Sequence, residues 1–177
     1  RIDEQRKKST EDIKQRIVKA QDAISTYEGE IAKRMDRIRD LRGTIEDEES
    51  NDRRYQKFTS IQDQMKRTAT KVANDIAFYN DNDECGTCKQ EIPQEFKNDV
   101  IQSRRDKLAE LDKAQIQLKS ELETVRSRLA QITKVHDEIQ TLQGEVNDLN
   151  LRIQTNNRSI AEWNTEIETA NATLPEA

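Results

Sequence analysis

Two residues carry the chemistry that this sequence can offer. Cys85 and Cys88 are the only cysteines, and they stand as Cys85-Gly86-Thr87-Cys88, with 84 residues before the motif and 89 after it. A C-x-x-C turn can aim two thiolates at one metal ion. Zinc takes four tetrahedral ligands, with sulfur at about 2.3 Å, and its structural sites are closed. Two sulfurs are half of such a site, and the sole histidine, His136, is too far along the sequence to help. The economical source of the missing pair is a second copy of the chain. One Zn2+ would then be shared by two chains through Cys85 and Cys88 of each, and its binding energy would appear as dimerisation energy. The competing expectations for the pair are an intrachain disulfide, or surface thiols that bind nothing. A thioredoxin-like redox role needs a βαβ context, which the sequence lacks. Asp81-x-Asp83 followed by Gly86 resembles the start of a calcium loop, but the twelfth position, where a bidentate Glu belongs, is Ile92.

Composition limits what can position these thiols. Of 177 residues, 37% are charged, 32% hydrophobic and 4% aromatic, and the mean hydropathy is −1.07. A globular domain carries about half apolar residues, so no broad core can form. The choice lies between disorder and a helical rod with a narrow apolar seam. Four glycines and two prolines argue against a linker-rich chain. There is no long apolar run of the kind that spans a membrane and no signal peptide, and the first residue is Arg1, as expected of a piece of something longer. Two cysteines are too few for a secreted disulfide scaffold, and a cytoplasmic location would keep them reduced. A net charge of −5 argues against a surface built mainly for nucleic acid.

Periodicity decides for the rod. Steps of four and three from Ile13 pass through Ile17, Ala20, Ile24, Tyr27, Ile31, Arg34, Ile38, Leu41 and Ile45, apolar throughout except for Arg34. This is a heptad with a sustained a/d seam. Residues 46–54 (EDEESNDRR) interrupt it, and it resumes at Tyr55, Phe58, Met65, Ala69, Val72, Ile76 and Tyr79 with the phase of a three-residue stammer. The second half repeats the pattern, first through Leu108, Leu111, Leu118, Leu122, Val125, Leu129 and Ile132. It continues through Ile139, Leu142, Val146, Leu149, Ile153, Ile160, Trp163, Ile167 and Leu174, where Pro175 ends it.

The two seams are mirror images about the cysteines. If residues whose numbers sum to about 173 face each other, Ile13 meets Ile160, Ile24 meets Leu149, Leu41 meets Ile132, and Tyr55 meets Leu118. Mirror phasing is what an antiparallel pair within one chain requires. The expected fold is therefore all-α: a long antiparallel intrachain coiled-coil hairpin with the C-x-x-C motif at its apex. Its parts are an ascending helix over 1–79, an apex over 80–92, a descending helix over 93–174 and a tail over 175–177. Asn80-Asp81-Asn82-Asp83 ends the first helix. Gly86 permits a tight backbone between the thiols, and Pro93 suits the first turn of the returning helix. At ~1.5 Å per residue, an arm of roughly 70 to 80 residues is on the order of 110 Å long.

A C-x-x-C apex on such an arm resembles the zinc hook of the SbcC-type DNA double-strand-break-repair ATPases, relatives of the chromosome-structure-maintenance (SMC) proteins. The resemblance covers the whole chain as architecture and rests on Cys85, Cys88 and the mirrored seams as sequence. The family usually carries a proline just after the first cysteine, where this chain has Gly86. The short arm looks like that of a bacteriophage recombination-nuclease large subunit. The resemblance implies that Cys85 and Cys88 are the zinc ligands of a hook that joins two chains as a homodimer. It also implies that the chain is the arm between two halves of a parent ATPase, which uses ATP and Mg2+ and works with a nuclease partner on DNA ends. No G-x-x-x-x-G-K-[ST] loop is present, so the segment itself is not expected to be an enzyme.

Two other functions fit the same features less closely. One is a coiled-coil spacer whose cysteines bind nothing essential. The other is a substrate-binding arm of the kind some tRNA synthetases carry, which would need a basic face for the RNA backbone. Arg53-Arg54 and Arg104-Arg105 are candidate phosphate contacts, but acidic neighbours suggest solvated helix faces. His136 reads as a surface or partly buried residue and Trp163 as seam core. Arg34 and Asn156 are polar seam positions that set register. The run Glu46-Asp47-Glu48-Glu49 reads as a flexible break in the coil.

Overall fold

A computed structural model describes residues 1–172, all but the last five of the chain. The described residues are all-α and form three helices: α1 (Ile2–Gly43), α2 (Glu48–Asp81) and α3 (Gln94–Ala172). No strand occurs among them. Leu174 and Pro175, the expected end of the second seam, lie outside the described residues. The chain divides into two units, one formed by Arg1–Ile45 with the part of α3 from Lys134 onward, the other by Glu46–Thr133.

In both units the heptad pattern dictates the packing. The fourteen buried hydrophobic residues among those described, from Ile17 to Leu149, all occupy seam positions, and Leu122 and Ile132 are the most deeply buried. A heptad stripe leaves the helix one apolar face, and only a facing stripe removes that face from water. Val18, Met35, Ile116 and Leu151 lie off the seam and are exposed. Trp163, expected as core, is half-buried.

In the first unit, α1 pairs antiparallel with α3. The Nε of Arg34 donates to Glu145 Oε2 at 2.7 Å, and Arg37 donates to Glu138 Oε1 at 3.1 Å. Arg152 lies over the Tyr27 ring at 5.9 Å. Arg34, the polar entry in the first seam, thus reaches sideways to Glu145 instead of meeting Ile139 across the seam. Its guanidinium leaves the apolar stripe and finds a carboxylate at the edge. α1 stops at Gly43, where Thr44 turns back on Leu41 through its backbone N–H at 3.0 Å and its hydroxyl at 2.6 Å.

The second unit opens on the acidic run Glu46-Asp47-Glu48-Glu49, expected as a break in the coil, within the wider interruption of the seam over 46–54. The non-helical stretch is only Thr44–Asp47, and α2 is helical from Glu48 onward. Asp47 precedes α2 as its N-cap residue but makes no capping bond with its side chain. Its carboxylate is engaged across the coil instead. Arg128 grips it with two nitrogens at 2.8 Å each, and Asn51, itself buried, donates to the same carboxylate at 2.9 Å and to the Asp47 carbonyl at 2.8 Å. A two-pronged guanidinium–carboxylate pair fixes orientation as well as distance. Farther along, Arg126 lies over the Tyr55 ring at 5.7 Å, and Arg104 meets Asp75 at 3.3 Å, so α2 and α3 also run antiparallel.

One buried side-chain polar atom among the described residues is left over. Thr59 Oγ1 is buried with no hydrogen-bond partner, whereas Thr68 and Thr70 in the same helix bond the carbonyl four residues back. Thr59→Val is expected to stabilise the chain by about 1 kcal/mol, since it removes an unpaired hydroxyl without changing shape. Leu122→Ala should cost about 2–5 kcal/mol through the cavity it opens. Urea unfolding of the two variants would show shifts of opposite sign.

The clamp at Asp47 has a pH signature. Arg128 holds the Asp47 carboxyl at about 2, against 3.8 for an unperturbed Asp. A carboxylate depressed in the folded state stabilises fully above the ordinary value, and that contribution is lost as pH falls towards the depressed one. Arg128→Met should therefore lower the melting temperature at neutral pH, and the gap from wild type should close between about pH 4 and pH 2. Melting curves read by circular dichroism across that range test it.

Candidate metal centre

The cysteines lie in the loop that joins α2 to α3, and each end of that loop is held by the backbone. α2 finishes at Asp81, and Asn82 caps it. The Asn82 N–H and side-chain amide both donate to the Phe78 carbonyl, at 3.0 and 2.9 Å, and the Asn82 backbone is then extended. This is the helix-ending role expected of the Asn/Asp cluster. Beyond it Glu84 and Glu91 form a single antiparallel bridge. The Ile92 N–H donates to Asp83 O at 2.7 Å and the Cys85 N–H to Gln90 O at 2.9 Å. Pro93 stands just before α3, and its carbonyl accepts the Lys97 N–H at 3.0 Å. Its missing N–H costs nothing at a helix start.

Inside this frame, Cys85 to Lys89 form a tight turn closed by the Lys89 N–H on Cys85 O at 2.9 Å. The turn needs one residue in the left-handed region. Glycine type points to Gly86 for a special backbone, but no glycine has positive φ, and the position is taken by Lys89 at φ 57°. A side chain at Gly86 would meet open space.

The fold of the turn directs donors at the first sulfur. Backbone N–H groups of Cys88 and Thr87 are aimed at Cys85, the Cys88 side chain and the Lys89 N–H add to them, and together they hold the Cys85 thiol below its ordinary value. Hydrogen bonds to a charged form favour that form, and the thiolate is the state of a cysteine that ligates metal. Cys85 is half-buried and Cys88 exposed, and both are free thiols. The loop thus offers two sulfurs, one half-buried and one open to solvent. Among the described residues no three His, Cys, Asp or Glu side chains converge on one point. His136 is exposed on the first unit.

Beneath the turn lies a residue the motif did not point to. Lys97, in the first turn of α3, is only 4% exposed. Its ammonium donates to Asp83 Oδ1 at 2.5 Å, and Asp83 is the residue whose carbonyl closes the bridge at Ile92. An ammonium this buried needs its partner, so Lys97 ties the base of the loop to α3. Alternation and charge gave no sign of it, because Lys97 reads as one of many surface lysines.

Three of the four arginines considered as phosphate contacts have partners within the chain. Arg53 meets Glu49 at 2.8 Å, Arg54 lies over Phe58 at 5.8 Å, and Arg104 is paired with Asp75. No helix among the described residues is long and apolar enough to cross a membrane.

The backbone assignment makes a clear prediction for the turn. Gly86→Ala should be tolerated, with a gain of up to about 1 kcal/mol from a stiffer unfolded chain. Lys89→Gly should be tolerated as well, but Lys89→Val, a β-branched residue at positive φ, should cost about 1–2 kcal/mol. Amide exchange at Cys85 and Lys89 would report the effect locally.

The loop therefore holds two free thiols in one turn, and hydrogen bonding lowers the pKa of the first. Comparison with protein-family models, curated proteins and solved structures finds no match to this chain.

Proposed function

We propose that the chain is a coiled-coil hairpin whose cysteine loop is one half of a four-thiolate zinc site, completed by Cys85 and Cys88 of a second copy. The observation that carries this reading is the placement of the two thiols: Cys85 and Cys88 lie in one backbone-closed turn in the loop between α2 and α3, both free, with Cys88 exposed. A soft N/S-binding metal is matched by thiolates, and zinc favours four of them in a closed site. Two per chain make the metal a coupling between chains, and its affinity becomes affinity of one arm for another.

The larger setting follows the resemblance to SbcC-type hooks. In that setting the hairpin is the arm of an ATPase that works with a nuclease partner on DNA ends, and the hook tethers two such arms. The partners of Arg53, Arg54 and Arg104 within the chain and the net charge of −5 favour a tether over a nucleic-acid-binding arm.

Absolute mass by light scattering tests the proposal on the reduced protein. With one zinc per two chains the mass should be that of two chains. It should fall to one chain with a chelator and in the Cys85→Ser, Cys88→Ser variant. A mass indifferent to metal and to both cysteines would overturn the proposal and leave a coiled-coil spacer.

A further inference from the structure

The turn that holds the cysteines also places them for a bond to each other. It is closed by the Lys89 N–H on Cys85 O at 2.9 Å, a single turn of helical type. Residues three apart in such a turn have Cα atoms roughly 5 Å apart, inside the span of about 4.4–6.8 Å that a disulfide bridges. The Cys88 side chain is within hydrogen-bonding reach of Cys85, and both thiols are free. No other cysteine occurs in the chain, so neither has a rival partner within it.

We infer that Cys85 and Cys88 form a reversible dithiol–disulfide pair, closed and opened by exchange with a small thiol of the glutathione type. The bond goes beyond the metal site proposed above and forms without metal. One consequence alone rests on that reading: sulfurs bonded to each other cannot ligate zinc, so the oxidised loop cannot join two chains through them.

Exposure sets the order of attack, since Cys88 is open to solvent and Cys85 is half-buried. The Cys88 thiolate attacks one sulfur of glutathione disulfide. The S–S bond of that reagent breaks, one glutathione thiolate leaves, and Cys88 carries a mixed disulfide. The Cys85 thiolate then attacks the Cys88 sulfur and expels the second glutathione. The two protons given up by the cysteines end on the two glutathiones, so two thiols of the chain are oxidised and one disulfide is reduced. Excess reduced glutathione runs the same steps backwards.

Two features make the pair a switch and not a staple. The ring encloses only Gly86 and Thr87, so closing it removes little freedom from the unfolded chain. The bonds that frame the loop lie outside the ring: the Glu84–Glu91 bridge, the Ile92 N–H on Asp83 O, and the Lys97–Asp83 pair. The loop therefore keeps its frame in both states. Closure depends instead on Lys89, whose φ of 57° ends the turn.

The test uses the full chain, reduced, stripped of metal with a chelator, equilibrated in glutathione buffers and read by intact mass. Wild type should lose two hydrogens, retain no glutathione and form no link between chains, with its helix content unchanged by circular dichroism. Reduced glutathione in excess should restore the two hydrogens. Cys85→Ser should stop with one glutathione on Cys88. At a fixed buffer, Lys89→Val should lower the ratio of closed to open turn about ten-fold. Lys89→Gly, which takes positive φ freely, should stay near wild type. Wild type that carries two glutathiones, or that links chains through Cys88, would overturn the inference. Closure indifferent to Lys89→Val would overturn it too, since the turn would not be what brings the sulfurs together. No metal is present in these measurements, so the zinc-linked mass test stands or falls separately.

Discussion

Each half of this chain has one apolar stripe, and neither stripe is stable in water without a facing one. Everything else follows from that scarcity. With 32% hydrophobic residues the chain cannot build layers around a core, so its burial is confined to a seam one or two side chains wide. Stability then grows with the length of the seam, and polar residues can intrude only where they reach its edge. Arg34 does so by extending to Glu145, and Asp47 by turning its carboxylate onto Arg128.

The clamp at Asp47 shows how a break in the heptad is managed. Four residues leave helical structure between Gly43 and Glu48, and helix ends carry unsatisfied backbone groups. Thr44 satisfies Leu41, and Asn51 satisfies the Asp47 carbonyl. The acidic run is therefore a specified joint, held by a buried amide and a two-pronged ion pair. An interruption of this kind lets the seam change phase without leaving helix ends exposed to competition from water.

At the cysteine loop the same economy applies to chemistry. A seam protein has no interior in which to gather four ligands, so a closed metal site cannot be built from one chain's core. What a helical turn-around can supply is a short loop with aligned N–H groups. Those groups favour the charged form of the Cys85 thiol. Lys97 contributes from below by fixing Asp83, and through it the bridge between Glu84 and Glu91. In the proposed hook the remaining donors come from outside the loop, which would make its metal affinity a measure of association.

Heptad spacing by itself determined the helices, the seam and the antiparallel sense. Steps of three and four residues leave few alternatives, and mirrored phase about Cys85 and Cys88 is a pattern that a parallel pair would not need. The buried hydrophobic residues accordingly all lie on seam positions. The motif likewise places the chain's two cysteines three residues apart. Tertiary structure alone decided the rest, because it depends on side-chain reach and on single backbone torsions. Residues 48–54 are helical although they break the apolar pattern, since Asn51 is buried against Asp47 and the opposite helix supplies Arg128. The left-handed residue of the turn is Lys89 and not Gly86, because the turn closes on the Cys85 carbonyl at that position. Lys97 is buried while its neighbours are exposed, since only there does an ammonium reach the loop base. Periodicity encodes which face of a helix is covered; it does not encode which long polar side chain will find its partner there.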